Sequence, residues 1–151
     1  YSLNEYADGS RWHQSAALIP PYSSDRGPEL CEVQHSESLV PGTRQLQGVR
    51  LELRRGNGEL LTVAATPLSM VYMSGIGYGP PWRHGVYQGE NVAEDEVWDL
   101  GDTETRRRVF GLTETLCRWE MNGRTGYGVF EFICVGPYAP LGLQSGTDVA
   151  P

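Results

Sequence analysis

Glycine and proline decide most of what this chain can become. Nineteen glycines and ten prolines are spread along 151 residues, so windows free of both are short. Each interior glycine costs a helix about 1 kcal/mol and each proline about 3 kcal/mol. Long helices are thereby disfavoured, and the fold is predicted to be all-β with at most one short helix. The length suits one domain spanning residues 1–151, because a single core usually serves roughly 100–150 residues. A chain of this size can bury a real core without disulfide or metal staples.

Two hairpins stand out. From Gln47 to Arg54, Val49, Leu51 and Leu53 alternate with Arg50, Glu52 and Arg54, and a second apolar run covers Leu60 to Ala65 beyond Gly56-Asn57-Gly58. Alternation with period two marks a half-buried strand, and Asn with Gly supplies the positive φ of a tight turn. Leu116 to Met121 and Tyr127 to Val135 make a similar pair around Asn122-Gly123-Arg124. Further strands are expected at Arg11 to Leu18, Leu30 to Leu39, Leu68 to Met73, Gly85 to Glu90 and Glu94 to Leu100. Ile19 to Pro28 reads as a loop. Asp102 to Phe110 reads as one or two helical turns capped by Asp102 or Thr103. Residues 137–151 read as an extended tail. Short antiparallel strands at such spacing imply a barrel or sandwich, and a small barrel has room for one small ligand.

Composition narrows the partner. The net charge of -7 and a pI near 4.9 argue against nucleic acid and acidic membrane surfaces, both of which select basic faces. A neutral or apolar small molecule fits better. No apolar run approaches the roughly 20 residues of a membrane span, and no basic-then-apolar leader is seen. All twelve basic residues are Arg, which removes Schiff-base and lysine-base mechanisms. Cys31, Cys117 and Cys134 are three in number and lack CxxC spacing, so a disulfide framework is not indicated and a reducing, cytoplasmic setting is expected. His13, His35 and His84 follow no ligand spacing, so no metal is expected. Gly75, Gly77 and Gly79 open no predicted helix, and no GxSxG elbow occurs. No cofactor is expected.

Chemistry is expected in two segments. Met73 to Glu90 packs glycines, Pro80-Pro81, Tyr78, Trp82, Arg83, His84 and Tyr87 into eighteen residues. His84 is the natural general acid/base there, with Trp82 and Tyr87 as an apolar wall; the plainer role is a turn histidine bonded to a backbone carbonyl. Glu90 either pairs with Arg83, orients His84, or is a solvated strand end. On the strand from Tyr127, the residues Tyr127, Val129, Glu131, Ile133 and Val135 share one face. Glu131 thus sits on an apolar stripe. Burial there would raise its pKa to a useful range, or it would pair with Arg83 or Arg118.

These motifs carry a resemblance. Pro41-Gly42-Thr43-Arg44, Gly75-Ile76-Gly77-Tyr78, Trp82-Arg83-His84-Gly85, Gly89-Glu90, Gly126-Tyr127-Gly128-Val129-Phe130-Glu131 and Gly136-Pro137-Tyr138 resemble the C-terminal half of the lipocalin-like proteins grouped with hydroxyneurosporene synthase (carotenoid 1,2-hydratase) and AttH. The match is nearest to their uncharacterised bacterial relatives. The resemblance implies a lipocalin-like barrel and chemistry on isoprenoid-like or polycyclic substrates without metal or organic cofactor. Its site residues map to Tyr78, Trp82, His84 and Glu131. The family commonly has two barrels, so this chain would be one half, completed by a second copy or a partner barrel, or else a fragment.

The function expected from these readings is a cofactor-independent hydratase, isomerase or cyclase acting on a hydrophobic molecule. His84 or Glu131 would move the proton, Tyr78 would donate a hydrogen bond, and Trp82 with Tyr127 would wall the site; Arg83, Tyr87 and Glu90 would contact substrate. The alternatives are a non-catalytic carrier, or an accessory barrel docking a second one.

Overall fold

The computed structural model describes residues 1–21, 24–73, 90, 99, 101–105, 111–134 and 136–145. Among them are seven strands: β1 (Ser2–Glu5), β2 (Arg11–Leu18), β3 (Glu29–Leu39), β4 (Leu46–Arg54), β5 (Leu60–Met73), β6 (Leu112–Met121) and β7 (Arg124–Ile133). Each pairs antiparallel with its neighbour in sequence, giving one sheet in the order β1 to β7. The sheet curls into a half-barrel: among the described residues no ladder joins β1 to β7, and Tyr1, just before β1, reaches Phe130 on β7. The all-β antiparallel prediction holds. No helix among the described residues is long and apolar enough to cross a membrane.

Turn chemistry accounts for the hairpins. Between β6 and β7, Asn122 and Gly123 have φ of 50° and 74°, the paired left-handed conformation whose twist matches the flanking strands. Between β4 and β5, Gly58 takes φ of 85° and the Asn57 side chain accepts the Glu59 N–H at 3.0 Å. Arg55 clamps this turn to the start of β3, its guanidinium donating to Glu29 at 2.6 Å and to Glu59 at 2.7 Å. The ion pairs hold Glu29, through the Arg55 hydrogen bond first, below the usual carboxylate range.

The core lies on one face, as strand alternation requires. Val33, Leu53 and Leu61 stand opposite one another across β3, β4 and β5, with Leu51 and Val63 in the next row, and all five are buried. Fully burying one such side chain contributes about 1.5–3 kcal/mol. The opposite face of β3 and β4 carries charge, with Arg54 near Glu32 at 3.8 Å and Arg50 near Glu52 at 3.4 Å.

Three local features differ from expectation. β5 runs unbroken through Pro67, where two strands were predicted. Its pairing with β4 ends at Val49 and Ala65, so the missing Pro67 N–H interrupts only an unpaired edge, and a bulge between Pro67 and Ser69 shifts the register with β6 as the strand continues. β1 was not predicted, since four residues give too little alternation to read. The segment after β7 is docked: Ala139–Leu141 forms a 3-10 helix, Ala139 donates to the Ala7 carbonyl at 2.7 Å, and Pro140 covers Gly9. A Cβ on Gly9 would lie 2.7 Å from the proline ring, and its φ is +83°. Of the predicted helical turns, residues 103–105 are helical and the Asp102 carboxylate accepts the Thr105 N–H at 2.8 Å. The strands expected at Gly85 to Glu90 and Glu94 to Leu100 lie outside the described residues, Glu90 and Asp99 apart.

Candidate functional site

A cleft of about 560 Å³ opens where the curled sheet brings β1 and the segment after β7 toward the middle of its concave face. β7 builds one wall. Its period-two alternation turns Phe130 and Phe132 inward, with ring centroids 6.4 Å apart and nearly parallel planes. Trp119 on β6 also lines the cleft, and its indole reaches over Gly128: a Cβ there would stand 3.2 Å from the indole nitrogen. The absent side chain is what seats the ring. Tyr1 closes the second wall, 6.5 Å from Phe130 and 5.7 Å from His35 between ring centroids. Tyr138 completes the set, meeting Phe132 edge-on at 6.5 Å.

The polar groups come from β1 and β3. Cys31, Val33, His35 and Glu37 follow one another on the inward row of β3. The His35 side chain is wholly buried while that of Glu37 keeps 17% exposure, and Nε2 lies 2.6 Å from a Glu37 oxygen. That approach is off the direction of a hydrogen bond, and neither ring nitrogen has a hydrogen-bond partner. Glu37 lines the cleft and His35 backs it. Across the cleft, the Tyr138 hydroxyl donates to Glu5, which also accepts from Arg11 at 3.2 Å.

Burial and negative charge together keep both phenols protonated. Desolvation first, then the charge of Glu37 and then that of Cys117, pushes the Tyr1 hydroxyl far above its ordinary value. For Tyr138 desolvation again leads, followed by its hydrogen bond to Glu5 and the charges of Glu5, Glu37 and Cys134. The thiols follow the same logic: burial raises Cys117, and it raises Cys134 against the opposing charge of Arg44. Neutral, desolvated thiols are poor nucleophiles.

The residues anticipated from sequence fall into two groups. Tyr78, Trp82, Arg83, His84 and Tyr87 lie outside the described residues. Glu90 is exposed at a turn. Tyr127 is 72% exposed, on the outer row of β7 with Val129, Glu131 and Ile133. The expectation that Glu131 is drawn out of water is therefore corrected. Small Gly128 and the two phenylalanines occupy the concave side, which leaves Glu131 exposed at the cleft rim. Arg118, considered as its partner, instead pairs with Glu120 at 3.4 Å.

Sequence reasoning passed over His35 and Glu37. The alternation applied to β7 works equally on β3, where it sets His35 and Glu37 in line with Cys31 and Val33 on the buried face. No comparable signal existed for Tyr1 or Tyr138, which meet the site only through folding. Among the described residues no group of three His, Cys, Asp or Glu side chains could hold a metal ion.

No curated protein and no solved structure matches the chain. A family model does, over residues 1–144, and the chain belongs to that family of unknown function, DUF8625.

Proposed function

We propose that this domain binds a small, mostly apolar molecule in the cleft between β1 and β7. The observation that carries this reading is the set of aromatic rings, Tyr1, Trp119, Phe130, Phe132 and Tyr138, around a hollow of about 560 Å³. Ligand sites are typically roughly 300–1,000 Å³, lined by apolar rings with a few placed polar groups. Phenols and indoles provide apolar area with one polar handle each. A fluorescence titration with the neutral dye N-phenyl-1-naphthylamine tests it. Saturable enhancement is expected, weakened at least about fivefold in Phe132→Ser, since such a change removes one of few anchoring rings, and unchanged in Leu116→Ser on the outer face. No enhancement, or the same affinity in Phe132→Ser, would defeat the reading.

A second reading is a cofactor-independent acid/base enzyme of hydratase, isomerase or cyclase type acting on an isoprenoid-like or polycyclic substrate. Glu37, with the imidazole of buried His35 2.6 Å behind it, favours it: a carboxylate at the cleft beside an imidazole is a pair suited to moving a proton. The surrounding π faces would stabilise positive charge developing on the substrate. On this reading Glu37→Gln binds the substrate and does not turn it over, and retained turnover would exclude it.

A further inference from the structure

The electrostatic character of the cleft indicates which polar group its ligand carries. Among the described residues the lining includes Glu5, Glu37 and Glu131 and no arginine, and the sequence contains no lysine. Two arginines act on neighbouring groups: Arg11 pairs with Glu5, and the charge of buried Arg44 reaches Cys134. Neither lines the cleft. Aromatic faces add to the negative potential, because a ring quadrupole presents electron density from its face.

We infer that the cleft selects an organic cation, an amine or quaternary ammonium group carried on an apolar body, with Glu37 as its counter-charge inside the ring of Tyr1, Trp119, Phe130 and Tyr138. The inference rests on the ligand-binding reading and adds the charge of the ligand to it. Glu5 is engaged by Tyr138 and Arg11, so it anchors the wall. Glu37 combines partial exposure with a place in the lining. Its negative charge already acts against ionisation of both Tyr1 and Tyr138. A carboxylate or phosphate ligand would meet the same opposing field, while a cation would be drawn in by it. The overall charge of -7 would also raise the rate at which cations arrive.

The test uses three displacers of bound N-phenyl-1-naphthylamine that share one chain and differ in head group: decyltrimethylammonium, decanol and decanoate. The ammonium compound is expected to displace the dye at a concentration about tenfold below decanol, the size of a desolvated cation–π and ion-pair preference, with decanoate weakest. In Glu37→Gln the advantage of the cation over decanol should vanish while decanol itself is unchanged. Glu120→Gln, an exposed carboxyl outside the cleft, should keep the wild-type ranking. The ranking on the unaltered protein stands even if Glu37→Gln fails to fold. Decanol matching or beating the ammonium compound, with the dye still bound, overturns the charge selection and leaves the binding reading intact. A protein that holds no dye overturns both.

Discussion

The two ends of the concave face are built on opposite principles. Across β3, β4 and β5 the inward rows are aliphatic, Val33 against Leu53 and Leu61, and Leu51 against Val63, and every one is buried. At the cleft, rings replace aliphatic chains and polar groups enter. His35 is buried without a hydrogen bond to either nitrogen, and Glu5, Glu37, Tyr1 and Tyr138 share one hollow. Interdigitated aliphatic rows leave no space, whereas stiff planar rings at an open seam leave gaps between them. The difference separates the part that makes the sheet stable from the part that can hold something else.

Substitutions at the two ends should separate accordingly. Leu51→Ala empties the middle of the aliphatic row, and a loss of about 2–5 kcal/mol is expected in urea unfolding. A loss below about 1 kcal/mol would mean that this row is not where the fold is held. Next comes Gly128→Val, which places methyl groups where the Trp119 indole lies. Overpacking should destabilise by about 1–3 kcal/mol and change the tryptophan emission; an unaltered spectrum would show that the indole does not sit over Gly128.

Alkaline pH probes the cleft through its phenols. Tyr1 and Tyr138 are raised in the folded state, relative to about 10 in an unfolded chain. The stability gained by keeping them neutral is complete below pH of about 10 and drains away as pH climbs beyond it. The urea midpoint should therefore fall between pH 9 and pH 11 (~2 units spanning that threshold), and by less in the double variant Tyr1→Phe, Tyr138→Phe. Equal falls would remove these phenols from the account. The smallest effect is expected far from both regions, at the half-buried Glu29–Arg55 pair. There the lowered carboxyl contributes above its unfolded pKa and the contribution is lost as pH falls. Glu29→Gln should shift the midpoint at pH 7 slightly and leave dye binding untouched; a shift as large as that of Leu51→Ala would contradict it.

How far the sequence could be read depended on how local each signal was. The β4–β5 and β6–β7 hairpins were legible because alternation and the Asn-Gly turn are decided within a few residues. Pro67 misled, since its missing N–H matters only where the neighbouring strand pairs, and the pairing of β5 with β4 stops at Ala65. From Tyr127 onward both rows of β7 are free of charged residues apart from Glu131, so periodicity could define the rows without saying which faced inward. The register with β6 placed Phe130 and Phe132 opposite Thr115 and Thr113, both buried, and so decided it.

By itself the sequence determined that this chain would be β-sheet, where its clearest hairpins turn, and which aliphatic residues would form their buried stripe. Glycine, proline and strand periodicity act on immediate neighbours and need no knowledge of the rest. Only the tertiary structure decided that Tyr1, Glu37, Phe130 and Tyr138 would meet. They come from opposite edges and the middle of the sheet, and nothing short of its curl brings those edges together around a common hollow.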